Sequence, residues 1–253
     1  RTPSSSLQTM VDMDLNAFAD SVPGQLTAMV RGCIGRDDLM LLAGGYMPLK
    51  MRQNWPYYPM EVAGTVKGNL QSLSYSGFQL HLPTAFQLSS DGSLAHLHDM
   101  SQLKANIHLN ARTYHLGFVT AMLDPSLMKE VRIPYGMSLK GDVEVDGSQY
   151  ATKLTLTEGR GRVSVDAKVK THMKKDGSID MNQLAYQARL KVHQLQVNHF
   201  LPHQELNTFS GNLEAHGLGT DFLSRRTRLT AKAEVSQLHY GKYHISHLTA
   251  DAH

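Results

Sequence analysis

The chain has 253 residues, 41% of them hydrophobic, with 25 Lys and Arg against 22 Asp and Glu. That length holds one large domain or two ordinary ones, and a net charge of +3 spread along the sequence excludes the basic patch of a nucleic-acid binder. The longest apolar run, Leu39–Ala43, falls far short of the roughly 18 residues that a membrane-spanning helix needs.

The single cysteine, Cys33, excludes an internal disulfide but leaves the redox compartment open. The sequence begins Arg1-Thr2-Pro3 without a signal peptide, and Tyr243–His253 still has strand character at its last residue. Both ends therefore read as cuts in a longer chain, whose anchor and address lie outside it.

In chain order, residues 1–59 are expected to form a mixed helix and loop region. Ala17–Met40 holds helix-compatible stretches, broken by Ser21–Gly24 and by Gly35. Asp37–Leu42 has acidic residues at its start and Gly44-Gly45 after its end, the pattern of a short helix. Asn54–Pro59 is an aromatic connector that its prolines keep from continuing a helix.

Beyond Met60 the dominant period is two. Leu103, Ala105, Ile107 and Leu109 alternate with polar residues, as do Val163, Val165, Ala167 and Val169, and then Leu229, Ala231, Ala233 and Val235. Each run predicts a strand with one apolar and one wet face. Asp91-Gly92, Asp146-Gly147 and Asp176-Gly177 are expected at tight turns, and Gly159-Arg160-Gly161 at a hairpin. The apolar phase slips between Val192 and Leu195, which predicts a bulge. Short helical or irregular breaks fall at Thr120–Val131 and His199–Leu206. Three glycine-bounded strands, Gly64–Gly68, Gly141–Gly147 and Gly211–Gly217, form a loose internal repeat. The expected organisation is 1–59, then a β module at 60–136, then further β modules at 137–253.

Catalytic chemistry finds no foothold. The sequence has no Gly-x-Ser-x-Gly elbow, no phosphate-binding glycine loop and no His-Glu-x-x-His. Among the 14 histidines, His96 and His98 would share a strand face, and His199 and His203 have helical spacing interrupted by Pro202. His108 and His193 fall at outward strand positions, so exposed polar residues explain them better than metal ligands. Glu144 and Asp166 sit between apolar neighbours and point to the wet face. Lys174-Lys175 and Arg225-Arg226 fit solvated strand faces. No cofactor, metal or catalytic set is expected.

The apolar face is mostly aliphatic and often small. On pattern alone it fits either the closed core of a sandwich or barrel or a trough left open to a ligand with long hydrocarbon chains.

Val66–Leu70 followed by Gly92–Asp99, then Val197–Pro202, Phe209–Asp221 and Leu238–Ala252, resemble the repeated middle of the AsmA-like/TamB family, in a form similar to the Bacteroidetes versions. The resemblance implies a mainly β fold, an extended curved sheet forming a U-shaped, β-taco-like groove from loose modules, with a small helical part near the N-terminus. It implies a non-catalytic periplasmic segment of a large protein anchored in the inner membrane, shielding phospholipid acyl chains in transit between the inner and outer membranes. The alternatives are a module that binds or assembles outer-membrane β-proteins, with an outer-membrane β-barrel partner, or a β-solenoid adhesin or glycan-active enzyme. The implied groove lining is Val143, Val145, Leu154, Leu156, Val163, Val165, Ala167, Val169, Leu190, Val192, Leu213, Leu229, Ala231, Ala233 and Val235.

Overall fold

The computed structural model describes residues 4–17, 23–69, 71–99, 101–124, 127, 130–172, 180–219 and 227–252. The protein is mainly β, an open antiparallel sheet with few helices. Its strands are β1 (Ser6–Met13), β2 (Leu26–Ile34), β3 (Met60–Gly68), β4 (Ser72–Leu82), β5 (Phe86–Ala95), β6 (Lys104–Thr113), β7 (Ser138–Asp146), β8 (Gln149–Glu158), β9 (Gly161–Lys170), β10 (Ala185–Gln196), β11 (Leu206–Leu218), β12 (Arg228–Tyr240), β13 (Tyr243–Ile245) and β14 (Leu248–Ala252). Strand order follows the sequence from β1 to β13 without a crossover, and β14 also pairs with β12. Helices α1 (Arg36–Ala43), α2 (Leu49–Gln53) and α3 (Gly117–Thr120) are short. The chain divides into two compact units, Arg1–His98 with Ile107–Ser138, and Asp99–Asn106 with Leu139–His253.

In the first unit, β1 to β5 and most of β6 form a meander whose long connections carry the helices. The predicted helix at Asp37–Leu42 is α1, ended by Gly44 and a 3₁₀ turn at Gly44–Tyr46. Leu26–Ile34, by contrast, is a strand and not the helix-compatible stretch expected there. Leu26, Ala28 and Val30 do alternate with Thr27, Met29 and Arg31, but Met29 on the outer face is itself apolar and half exposed, which hides the period. Residues 1–59 therefore supply two strands as well as helix and loop.

Asp91-Gly92 is also not a turn. It lies inside β5, where Asp91 Oδ1 accepts the Gly77 N–H at 2.7 Å and so holds a bulge in β4 between Tyr75 and Phe78. Gly77 takes φ +60, a conformation that favours glycine.

The buried core is small and local. Leu39, Trp55, Leu82, Ala85 and Phe118 pack together, with Ile34, Met60 and Phe86 against them. Leu82 is fully buried, and the Trp55 and Phe118 rings meet at 4.8 Å. The helices thus cover one end of the strands of this unit.

The second unit carries β8 to β14 and nearly all of β7. Gly147-Ser148 and Gly159-Arg160 make the expected hairpin turns, both glycines at φ +55. The bulge predicted near Val192 is present. Register shifts between Val192 and Leu195, and the Gln194 N–H donates to Ser210 Oγ at 2.9 Å. Thr120–Val131 contains the end of α3 and a turn, with residues 125, 126, 128 and 129 outside the described set, as are 18–22 of the helix-compatible region Ala17–Met40, including Ser21 and Val22 of its predicted break. Lys174-Lys175, Asp176-Gly177 and Arg225-Arg226 lie outside the described residues.

Candidate functional site: two open apolar faces

In a paired sheet, residues opposite one another point to the same side, so the registers sort the predicted lining. Leu154, Val165, Leu190, Leu213 and Ala233 form one row across β8 to β12. Leu156, Val163, Val192 and Val235 form the next, with Gly211 completing it on β11. Ala167 and Ala231 share a third row with Thr152, Ala188 and Ala215, and Val169 and Leu229 a fourth with Tyr150, Tyr186 and Gly217. Val143 and Val145 are half-buried on β7 between exposed Asp142, Glu144 and Asp146.

Thirteen of the fifteen residues thus share rows on one face of β8 to β12. None of these fifteen residues is buried, and Leu213 is 40% exposed. A sandwich core would enclose such side chains on both sides; this face carries no covering layer among the described residues of its own unit.

The opposite face of the same strands is charged in strict alternation. Lys153, Asp166, Arg189, Glu214, Lys232 and Asp251 lie side by side across β8, β9, β10, β11, β12 and β14. The Arg189 guanidinium reaches Glu214 at 3.3 Å. Lys232 Nζ meets Glu234 at 2.8 Å, and this hydrogen bond raises the lysine pKa and lowers that of the carboxylate. Shifting one strand by two residues would preserve its faces yet break the alternation, so the charges favour one register.

A strongly apolar hollow lies in the first unit, which the sequence reading left out of the lining. It encloses about 630 Å³, within the usual span of ligand pockets. Its floor crosses all six strands: Thr9 and Val11, Ala28 and Val30, Gly64 and Val66, Leu73, Tyr75 and Phe78, Leu88, Ser90 and Leu94, then Ile107 and Leu109. Registers agree, placing Val11, Ala28, Val66 and Tyr75 in one row and Thr9, Val30 and Gly64 in the next. Five strand spacings make this floor about 24 Å long.

Its shape comes from a glycine and a ring. A Cβ at Gly64 would meet the Phe78 ring at 3.2 Å, so the glycine leaves room for the ring to lie over β3. Tyr75 meets Phe78 edge-on at 6.3 Å. Two of the hydroxyls in the floor are occupied: the Tyr75 hydroxyl hydrogen-bonds Ser90 Oγ at 2.9 Å, and Ser90 donates to the His108 carbonyl at 2.8 Å. The helical cluster packs further along the same face, at Ile34, Met60, Leu82 and Phe86, beyond a row of Gly32, Val62 and Leu80.

This floor escaped the sequence reading because the Ser76-Gly77 bulge reverses the phase of β4, from Leu73 and Tyr75 to Phe78, Leu80 and Leu82. A serine and a glycine in the floor weaken the apolar pattern further. An aromatic residue beside an odd-phase glycine was the signal available.

The histidines are dispersed. His96 and His98 sit past the end of β5 rather than on a strand, with His96 at φ +58 and the rings edge-on at 6.3 Å. His199 pairs instead with Glu158, a buried carboxylate at the end of β8, at 2.7 Å. No group of three or more His, Cys, Asp or Glu among the described residues is placed to hold a metal ion. No helix among them is long and apolar enough to cross a membrane.

No protein-family model, curated protein or solved structure matches the chain.

Proposed function

We propose that the chain is a segment of an AsmA-like/TamB-type envelope protein that shields phospholipid acyl chains on an open apolar β face as they pass between the inner and outer membranes. The observation that carries this reading is the hollow of the first unit, about 24 Å long and lined almost wholly by apolar atoms, with the Tyr75 and Ser90 hydroxyls hydrogen-bonded. One leaflet of a bilayer has a hydrocarbon depth of about 15 Å, so an extended acyl chain fits along such a floor. Each CH₂ taken from water onto it gains about 0.8 kcal/mol. The floor offers no charge to a head group, so it takes hydrocarbon without selecting what is attached to it.

The open face of the second unit extends the same chemistry with smaller side chains. In this reading the segment works in the periplasm, the parent protein is held in the inner membrane, and the bound chain slides with no bond made or broken. Passive shielding needs no cofactor.

Native mass spectrometry of the purified chain tests it. Phospholipid carried on the wild-type protein, and lost when Val66→Asp and Leu88→Asp put charges in the floor, is the expected result. A lipid-free wild-type chain that also fails to take phospholipid from micelles contradicts it.

A further inference from the structure

The helical cluster of the first unit has an outer side of its own. From Leu39 to Met60 the sequence holds no acidic residue, two basic ones at Lys50 and Arg52, and an unusual density of leucine, tyrosine and methionine. The inner side of this segment is accounted for, since Leu39 and Trp55 are buried and Met40, Ala43, Met47 and Met51 pack against them. Leu41, Leu42, Tyr46, Leu49, Tyr57 and Tyr58 instead stand in solvent, with Leu41 at 84% and Tyr46 at 93% exposure.

The segment is one packed body. The Arg36 guanidinium stacks over the Tyr57 ring at 4.9 Å and donates to the Arg52 carbonyl at 3.4 Å. Gly44 lies beside the Arg52 stem, where a Cβ would be 3.4 Å from Cδ. Of the acids at the start of α1, Asp38 accepts from the Ser4 and Ser5 hydroxyls, and Asp37 stands exposed with its carboxylate 3.9 Å from the Arg36 guanidinium.

We propose that this outer side docks on the surface of an anionic lipid bilayer. Tyrosines sit at the head-group level of a membrane with the ring in apolar surroundings and the hydroxyl wet. Leucines beside them reach the acyl boundary, as on interfacial helices. Lys50 and Arg52, with no carboxylate in the surrounding sequence from Leu39 to Met60, complement the phosphates. A water-facing surface gains nothing from six exposed apolar side chains gathered in one short segment. The inference rests on the lipid-shielding reading and adds to it a place of contact. The body that touches the bilayer packs on the same sheet face as the hollow, so a chain lifted from a leaflet reaches the floor across Val62 and Leu80.

Co-sedimentation of the 253-residue chain with vesicles tests the docking, using phosphatidylethanolamine with phosphatidylglycerol against phosphatidylcholine alone. The wild type is expected to sediment with the anionic vesicles. Loss of each basic side chain in Lys50→Ala and Arg52→Ala should weaken partitioning about fivefold. L42D with Y46D, both at exposed positions, should abolish it while the circular dichroism and melting curve stay unchanged. A wild type that sediments with neither vesicle, or a folded L42D/Y46D chain that sediments as well as wild type, overturns the proposal. So does a wild-type dimer in solution that L42D/Y46D converts to monomer, because the patch then serves a second copy. Phospholipid on the chain in native mass spectrometry without vesicle binding removes the docking alone; vesicle binding with a lipid-free chain removes the shielding alone.

Discussion

The two units present apolar faces of the same kind but keep them open by different means. The first unit concentrates its buried side chains in one helical cluster at the strand ends, leaving the neighbouring floor uncovered. The second has no comparable cluster among its described residues, and the valines and alanines of its apolar face from β8 to β12 stay half-buried. There the order comes from backbone ladders and from the row of alternating charges on the outer face. A sheet face can thus be left apolar and accessible if stability is supplied elsewhere, by a local core in one case and by pairing in the other.

That contrast is broken most directly in the core. Phe118→Ala removes a buried ring from the helical cluster and should cost about 3–5 kcal/mol in urea unfolding. Leu190→Ala, in the half-buried face of the second unit, should cost only about 1 kcal/mol, because its side chain keeps much of its water contact when folded. Equal losses would mean that the second face is closed in solution.

The strand glycines sharpen the same difference. Gly217→Ala brings a Cβ within 2.5 Å of the Arg228 carbonyl and of the Tyr186 hydroxyl, and a strand backbone does not yield, so about 1–3 kcal/mol should be lost. Gly64→Ala meets only the Phe78 ring at 3.2 Å and the Phe78 Cα at 3.4 Å. Its cost should stay below about 1 kcal/mol, with phospholipid loading reduced as the ring shifts over the floor.

On the outer face, Arg189→Glu sets like charges beside Asp166 and Glu214 and should destabilise by about 1 kcal/mol. Added salt should shrink that penalty, since the ladder is exposed.

The smallest effect is one of pH. Glu234 titrates below the ordinary carboxylate range because it hydrogen-bonds Lys232, so its contribution is present above that range and fades as pH falls through the lowered value. Lys232 is raised by the same contact; its contribution holds below the ordinary lysine value and fades as pH rises through the raised one. Thermal melts of Glu234→Gln and wild type should therefore converge at both the acid and the alkaline ends, and differ slightly between those limits.

Much of this was legible in the sequence, and the failures have physical causes. Period two exposed the second unit's face because every inward residue from Val163 to Val169 is apolar and its neighbours are not. The bulge after Val192 was visible as a slip of phase. In the first unit Met29 blurred β2, and the bulge at Ser76-Gly77 inverted β4 midway, so a floor that is continuous in space is broken in sequence. Asp91-Gly92 imitated a turn because its carboxylate serves a turn-like bulge on the neighbouring strand. The charge ladder depends on register across six strands and has no local signature.

Face-specific photo-crosslinking tests the open faces most directly. A crosslinking residue would replace Val66 in the first unit and Val165 in the second, with Lys67 and Asp166, which point to the opposite face, as controls. Open lipid-shielding faces predict phospholipid adducts at both inward positions and none at the controls. Adducts equal on the two faces, or adducts only to protein, would contradict that account.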